Sequence, residues 1–303
     1  MYQITESNRN KDKCLDGDSK EYYLKLYGSF RSKLPAPAFY PSPERGDIFI
    51  LDFAKGPCGL KAYGAEKLIA TIDSELLGYA APRVGHAAEA IAMLSEMYDK
   101  KTVFFAAASK QVTAHQSVVK AYGCDLRFAK IPAMTTLNAW IRKWAKRFDG
   151  IALPFGLADT PIVTAGLVNM CEDHTVMHGE PSEFYCAVST GTMIRALQLG
   201  WPGAKAVGVA VARNIKDGEK GDADVVTYHK SFYKHSDFIP EFLTTSTYDA
   251  KAYKRFIDEG APGAIFINVG SDHQIESRLV GLDGWEAVDA VREWGDLEAF
   301  DHA

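Results

Sequence analysis

The chain has 303 residues, 47% of them apolar and 24% charged, with a formal net charge of −5, the balance of a globular protein long enough for one large core or two lobes. It has no run of about 18 uncharged apolar residues, and its start, rich in Asn, Lys, Asp and Glu, lacks a signal-peptide core, so the expected location is the cytoplasm and no membrane partner is expected. The cysteines, Cys14, Cys58, Cys124, Cys171 and Cys186, are odd in number and contain no C-x-x-C pair, which argues against a disulfide framework or a zinc ribbon, and the acidic balance leaves small-molecule chemistry as the starting reading.

Residues 1–20 have no apolar periodicity and are expected to form a loose arm, with the fold beginning near GDIFILDFA. From there short apolar runs alternate with helical patterns. LLGYAA, TVFFAAA, DLRFAKI and GIALPF read as strands, and HAAEAIAMLSEMY, QVTAHQSVVKAYG and TLNAWIRKWAKRF read as the helices between them. A second series adds the helices PIVTAGLVNMCED, TMIRALQLG and YDAKAYKRFIDEG around the strands EFYCAV, AKAVGVAVA and GAIFINV, while NIKDGEKGDADV reads as a polar surface loop or hairpin tip. Strands alternating with helices at this spacing predict an α/β protein in two lobes, with mainly parallel sheets carrying helices on both faces.

Four strand-to-helix or strand-end segments carry chemistry. In KGPCGLKAYGA, Gly56, Pro57 and Gly59 force a turn after IFILDF, and Lys61 opens a helix; such a lysine is either a solvated first-turn residue or an amine whose pKa is lowered for Schiff-base chemistry. APRVGHAAEA follows LLGYAA and feeds a helix N-terminus, a place for an anion. STGT, Ser189 to Thr192, sets hydroxyls and amides at another helix N-terminus, which serves as a phosphate cradle or as a plain cap. GAIFINV ends at Gly270 and Ser271, at the carboxyl end of a strand, where open α/β sheets bind ligands.

Taken in this order, the four segments resemble the fold-type II enzymes of pyridoxal 5'-phosphate (PLP), the tryptophan synthase β-like group that includes threonine dehydratase, cysteine synthase and aminocyclopropane-carboxylate deaminase. GLKAYGA matches the family's GSFKxRGA cofactor-lysine segment with Lys61 in register. RVGHA stands where the family has SGNHA, VFFAAASKQVTAHQSVVKAYGCDL echoes its next landmark, and STGT with GWPGAKAVGVAV stands for the glycine-rich phosphate loop and the following strand. The likeness runs in order from about Leu34 to Asp272. It implies a large PLP-binding domain of residues 21–65 plus 155–303, a smaller α/β domain of 66–154, and a homodimer. It also implies Lys61 as the catalytic lysine, a cofactor held by Lys61, Gly85, Ser189, Thr190, Gly191, Thr192 and Ser271, and a substrate site that includes Arg83 and His86. A neutral hydroxyl at Ser271 against the pyridine nitrogen would favour elimination and replacement.

Two positions depart from the family. Gly85 stands where an asparagine contacts the cofactor ring, and Arg83 stands where a serine is usual; Arg83 either clamps a carboxylate bidentately or faces solvent. His86 is either a structural hydrogen-bonding residue opening its helix or part of the substrate site. Cys171, His174 and His178 have a metal-like spacing but no fourth ligand, so no metal site is assigned. Arg142, Lys143, Lys146 and Arg147, interleaved with Trp140 and Trp144, are either a basic solvated helix face or a nucleic-acid surface, the former being favoured. Tyr228, Phe232 and Tyr233 either line a substrate mouth or pack under a loop. The expected activity is a PLP-dependent lyase-type reaction, elimination or deamination, on a small amino acid or amine. The alternatives are modification, such as decarboxylation, of an amino acid carried on a larger molecule like a phage DNA nucleobase, and a catalytically inactive PLP-fold binding protein.

Overall fold

The computed structural model describes residues 19–56, 58–107, 113–129, 133–158 and 160–272. Residues 1–18 of the expected arm and Pro57 of the lysine loop lie outside the described residues. The chain divides into two compact units, one built on Leu68–Leu157 and the other on the residues up to Lys67 together with those from Ala158.

The second unit is organised by a six-stranded sheet of β1 (Ala38–Pro41), β2 (Phe49–Asp52), β7 (Glu183–Val188), β8 (Lys205–Ala210), β9 (Asp224–Thr227) and β10 (Ile265–Asn268), in the order β1-β2-β10-β7-β8-β9. All neighbours run parallel except β1, an antiparallel edge strand, a position that tolerates Pro41 because an edge has a side with no ladder bonds to make. The central strands read as unbroken apolar runs because both faces are covered. On one face α9 (Asp249–Glu259) delivers Ala252, Tyr253 and Phe256 onto Ile50, Tyr185, Val207 and Phe266. Elsewhere in the unit α1 (Lys20–Tyr27) buries Tyr23 and Tyr27 against Ala165 and Val168 of α6 (Pro161–His178). The sequence pattern did not show α1, β1 or β9: α1 is short and mostly polar, and β9 sits inside what reads as a polar loop.

The first unit holds a parallel sheet in the order β5-β4-β3-β6, with β3 at Leu76–Ala81, β4 at Lys101–Ala107, β5 at Asp125–Ala129 and β6 at Ile151–Ala152. Alternation sends Val103, Phe105 and Ala107 towards Leu137, Ile141 and Trp144 of α5 (Met134–Arg147). Gly78 lets α5 close on the sheet, since a Cβ there would stand 2.9 Å from both Ile141 and Trp144. In α3 (His86–Met97), Ser95 is hydrogen-bonded to Thr102 of β4 at 2.6 Å, and α4 (Ala114–Ala121) begins with a capping box between Thr113 and Gln116. Among the described residues no helix is long and apolar enough to cross a membrane, and Cys58, Cys124, Cys171 and Cys186 are buried and in no disulfide.

Candidate active site

Strands β2, β10 and β7 are adjacent and parallel, with Asn268 paired to Asp52 and Phe266 to Tyr185. Their carboxyl ends therefore lie side by side, and from these three ends the chain runs into the Lys61 loop, the Ser271 segment and the Ser189–Thr192 loop. Three of the four segments singled out in the sequence are thus brought to one edge of one sheet, the place where parallel α/β sheets present ligand-binding groups.

The lysine loop is fixed by backbone geometry. Cys58 (φ 59°) and Gly59 (φ 71°) are successive left-handed residues, a costly conformation for Cys58. A Cβ on Gly59 would stand 2.3 Å from the Val269 carbonyl, and the next amide, that of Leu60, donates to that same oxygen at 3.0 Å. Lys61 is the second residue of α2 (Leu60–Thr71), and α2 in turn is pressed onto α6, where a Cβ on Gly166 would meet the carbonyls of Tyr63 and Gly64 at 2.7 and 2.8 Å. Glu66 accepts bonds from the Ser32 hydroxyl and from the Lys33 amide (2.7 Å), tying the preceding loop to the same helix. Lys61 is half-buried, and removal of its ammonium from water lowers its pKa to about 8. A fraction of neutral, nucleophilic amine on the order of a tenth is therefore present at pH 7.

At the end of β7, Ser189 and Thr190 are half-buried and Gly191 is the N-cap of α7 (Thr192–Gly200), in the left-handed region at φ 79°. The hydroxyls of Thr190 and Thr192 lie 3.2 Å apart. As a glycine, Gly191 provides no side-chain cap for the first-turn amides, which suits an anion at this terminus. Protein backbone also demands a glycine here: a Cβ would stand 1.7 Å from the Glu219 carbonyl. That carbonyl belongs to α8 (Asp217–Lys220), which is buttressed by Arg213 on the Glu219 carboxylate, by Arg195 on the Gly218 carbonyl and by Gln198 on the Lys220 carbonyl.

Beyond β10, Ser271 is fully buried. The strand ends are bound together by Asp52, which accepts from Tyr40 (2.6 Å), from the Asn268 amide group (2.7 Å) and from the Ala54 amide (2.9 Å); Thr244 donates to Asn268 and Ser246 to Asp272. Asp249, at the first turn of α9, is fully buried, and its two carboxyl oxygens make no well-formed hydrogen bond among the described residues. Desolvation pushes its pKa well up, although the nearby amides of Gly270 and Val269 pull the other way. The Asp52 and Asp249 roles were not legible in the sequence, where each is one acidic residue among many.

In the other unit, the loop after β3 exposes Arg83, whose carbonyl accepts from the Thr113 hydroxyl. Gly85 caps α3 at φ 119°, with nothing among the described residues within 4 Å of the place a Cβ would take. An asparagine there would be strained by its backbone alone, which gives a physical reason for the departure from SGNHA. His86 is buried and sits 3.2 Å from the Glu89 carboxylate one turn on, with the His115 ring 5.4 Å away. Desolvation, with His86 alongside, lowers the His115 pKa to about 3.

In the remaining constellations most of the aromatic side chains are packed and the basic ones are exposed. His174 meets Phe39 and Trp201 edge-on, and Cys171 is buried with its carbonyl accepting from the Trp201 indole. On α5, Arg142, Lys143, Lys146 and Arg147 are exposed, whereas Trp144 is in the core and Trp140 packs against it. Phe232 and Tyr228 pack on the core of the six-stranded sheet while Tyr233 is exposed, and Lys251 donates to the carbonyls of Ser231 and Phe232.

Two α/β units with parallel sheets, a lysine loop and a helix-capping phosphate-type loop at adjacent strand ends define the fold of the fold-type II PLP enzymes, and this chain has that fold. An ACC deaminase homologue is similar at a TM-score of 0.71 and 15% identity, covering 85% of this chain and 98% of that one. Threonine deaminase isoform 2 from Solanum lycopersicum (TM-score 0.64, 14% identity, 86% and 89% covered) and maize serine racemase (0.62, 12%, 84% and 94%) are similar in the same way. No family model and no curated protein matches the sequence.

Proposed function

We propose that the protein is a PLP-dependent enzyme that acts at the α-carbon of an amino acid or a related amine, by elimination or deamination. The observation that carries this reading is Lys61, an amine with its pKa lowered to about 8, fixed by a left-handed turn against the strand that leads to Ser271. The residues fit the cofactor. Lys61 would hold it covalently, the α7 N-terminus with Ser189, Thr190, Gly191 and Thr192 would take its phosphate, and Ser271 would face the ring nitrogen. Gly85 is proposed as a cofactor-binding position, and Arg83 with the α3 N-terminus would take the substrate carboxylate. Bound PLP supplies an electron sink for charge developing at the α-carbon. With PLP bound, Lys61 would carry the proton to or from that carbon at its Nζ, and a pKa of about 8 suits it to both directions near neutral pH. Solved structures of similar fold include deaminases, an ammonia lyase and racemases.

The test is an absorbance spectrum of the purified protein with PLP, before and after borohydride, followed by peptide mapping. The expected result is a visible band that borohydride removes, with the label on Lys61, and no covalent label in Lys61→Ala. A label on another lysine, or no cofactor binding, overturns the proposal. Product analysis with a panel of amino acids then separates keto-acid formation from racemisation or decarboxylation.

A further inference from the structure

We propose that His86, Glu89 and His115 form a binding site for a single borderline divalent transition-metal ion, of which Zn²⁺ is the representative. The ligand atoms of the three residues, one from each, all lie within 4.8 Å of one another. Two elements supply them. His86 and Glu89 share one face of α3 at i and i+3 spacing, and His115 is the second residue of α4, whose start is fixed by the Thr113 capping box. All three belong to the Leu68–Leu157 unit, and the proposal stands whether or not the protein uses PLP.

Burial and chemistry both point to an ion. Glu89 is 1% exposed and His86 is 7% exposed, and the buried Nδ1 of His115 has no hydrogen-bond partner among the described residues. A buried imidazole nitrogen that finds no hydrogen-bond partner among the described residues is an electron-pair donor open to an ion, and the Glu89 carboxylate and the His86 ring lie within ligand distance of the same point. The 3.2 Å between His86 Nδ1 and Glu89 Oε2 is close to the roughly 3.4 Å that separates two ligands of a tetrahedral Zn²⁺ with bonds of about 2.1 Å. Two imidazoles and a carboxylate suit Zn²⁺ and its transition-metal neighbours, whereas Mg²⁺ and Ca²⁺ require mostly oxygen ligands. Three protein ligands leave one tetrahedral position for water or an external ligand. Because Thr113 also bonds the Arg83 carbonyl, a metal joining α3 to α4 would brace the Arg83–Gly85 loop from beneath.

The experiment is metal titration of the full chain, stripped of metals, by calorimetry, together with zinc-edge X-ray absorption of the loaded protein. The expected result is one Zn²⁺ per chain with two imidazole ligands and no sulfur, no heat with Mg²⁺, and affinity weakened by about tenfold or more in both Glu89→Gln and His115→Ala. The near-isosteric glutamine guards against misreading a folding defect, and circular dichroism checks both variants. Sulfur in the zinc shell, affinity unchanged in the two variants, or no Zn²⁺ binding by the wild-type chain overturns the site; the last outcome makes the three residues a hydrogen-bonded cluster within the core.

Discussion

Gly191 and Gly263 have nearly the same positive φ, 79° and 83°, in the same unit, yet differ in what surrounds them. An alanine at Gly263 meets nothing within 4 Å and has only its left-handed conformation to offset, about 1–2 kcal/mol, part of which is recovered from the less flexible unfolded chain. At Gly191 the new Cβ stands 1.7 Å from the Glu219 carbonyl, which has to retreat by roughly 1.3 Å to reach the 3.0 Å floor of real contacts. That carbonyl is held by the Arg213 fork on the same residue and by Arg195 and Gln198 on its neighbours, so an overpacking cost of about 1–3 kcal/mol adds to the conformational one. Gly191→Ala should therefore destabilise the unit by about 2–5 kcal/mol. It should also weaken PLP binding by about tenfold or more, since about 1.4 kcal/mol of misplacement at the α7 amides is enough for that. Hydrogen exchange at the β7 and β8 amides reads the stability of this unit, and a spectroscopic titration reads the cofactor. Equal effects of Gly191→Ala and Gly263→Ala on both readouts would refute the reasoning.

Lys61→Met in cofactor-free protein should raise stability at pH 7, on the order of 2–3 kcal/mol, because a pKa lowered from 10.5 to about 8 means that the folded state suffers the charged amine. The gain should shrink as the pH climbs from 8 towards 10.5, where the unfolded chain also loses its proton, and denaturation at several pH values checks this. Asp249 has the opposite sign: its folded pKa is raised, so its burial costs most above that value, and Asp249→Asn should flatten the fall of stability with rising pH, read in the same series. Arg83→Ala should leave the PLP spectrum unchanged and raise the KM for a carboxylate-bearing amine by about tenfold or more, the worth of one charge-assisted bond; an unchanged KM would mark Arg83 as a solvated loop residue.

Much of the fold was legible because its strands are buried on both faces and its helices are amphipathic, so LLGYAA reads as a short unbroken apolar run and TLNAWIRKWAKRF carries the helical period. The elements the pattern missed are those whose stability comes from partners distant in sequence. Helix α1 is held by Tyr23 and Tyr27 against α6, and β9 is an edge strand whose register is set by β8. The site divides in the same way. Glycine-flanked Lys61 and STGT could be found because unusual backbone conformations demand glycine, and glycine is visible in a sequence. Asp52, Asp249 and the His86–Glu89–His115 group could not, because their meaning lies in burial and convergence. His86 and Glu89 do leave a trace, an H-x-x-E spacing on one helix face, but His115 stands 26 residues beyond Glu89, and only the packing of α3 on α4 brings it there. What the structure adds to Gly191 is of the same kind: the glycine read as room for a phosphate is also room for the Glu219 carbonyl. A substitution there tests the protein's own packing as much as its cofactor, which is why the Gly263 comparison is needed to separate the two.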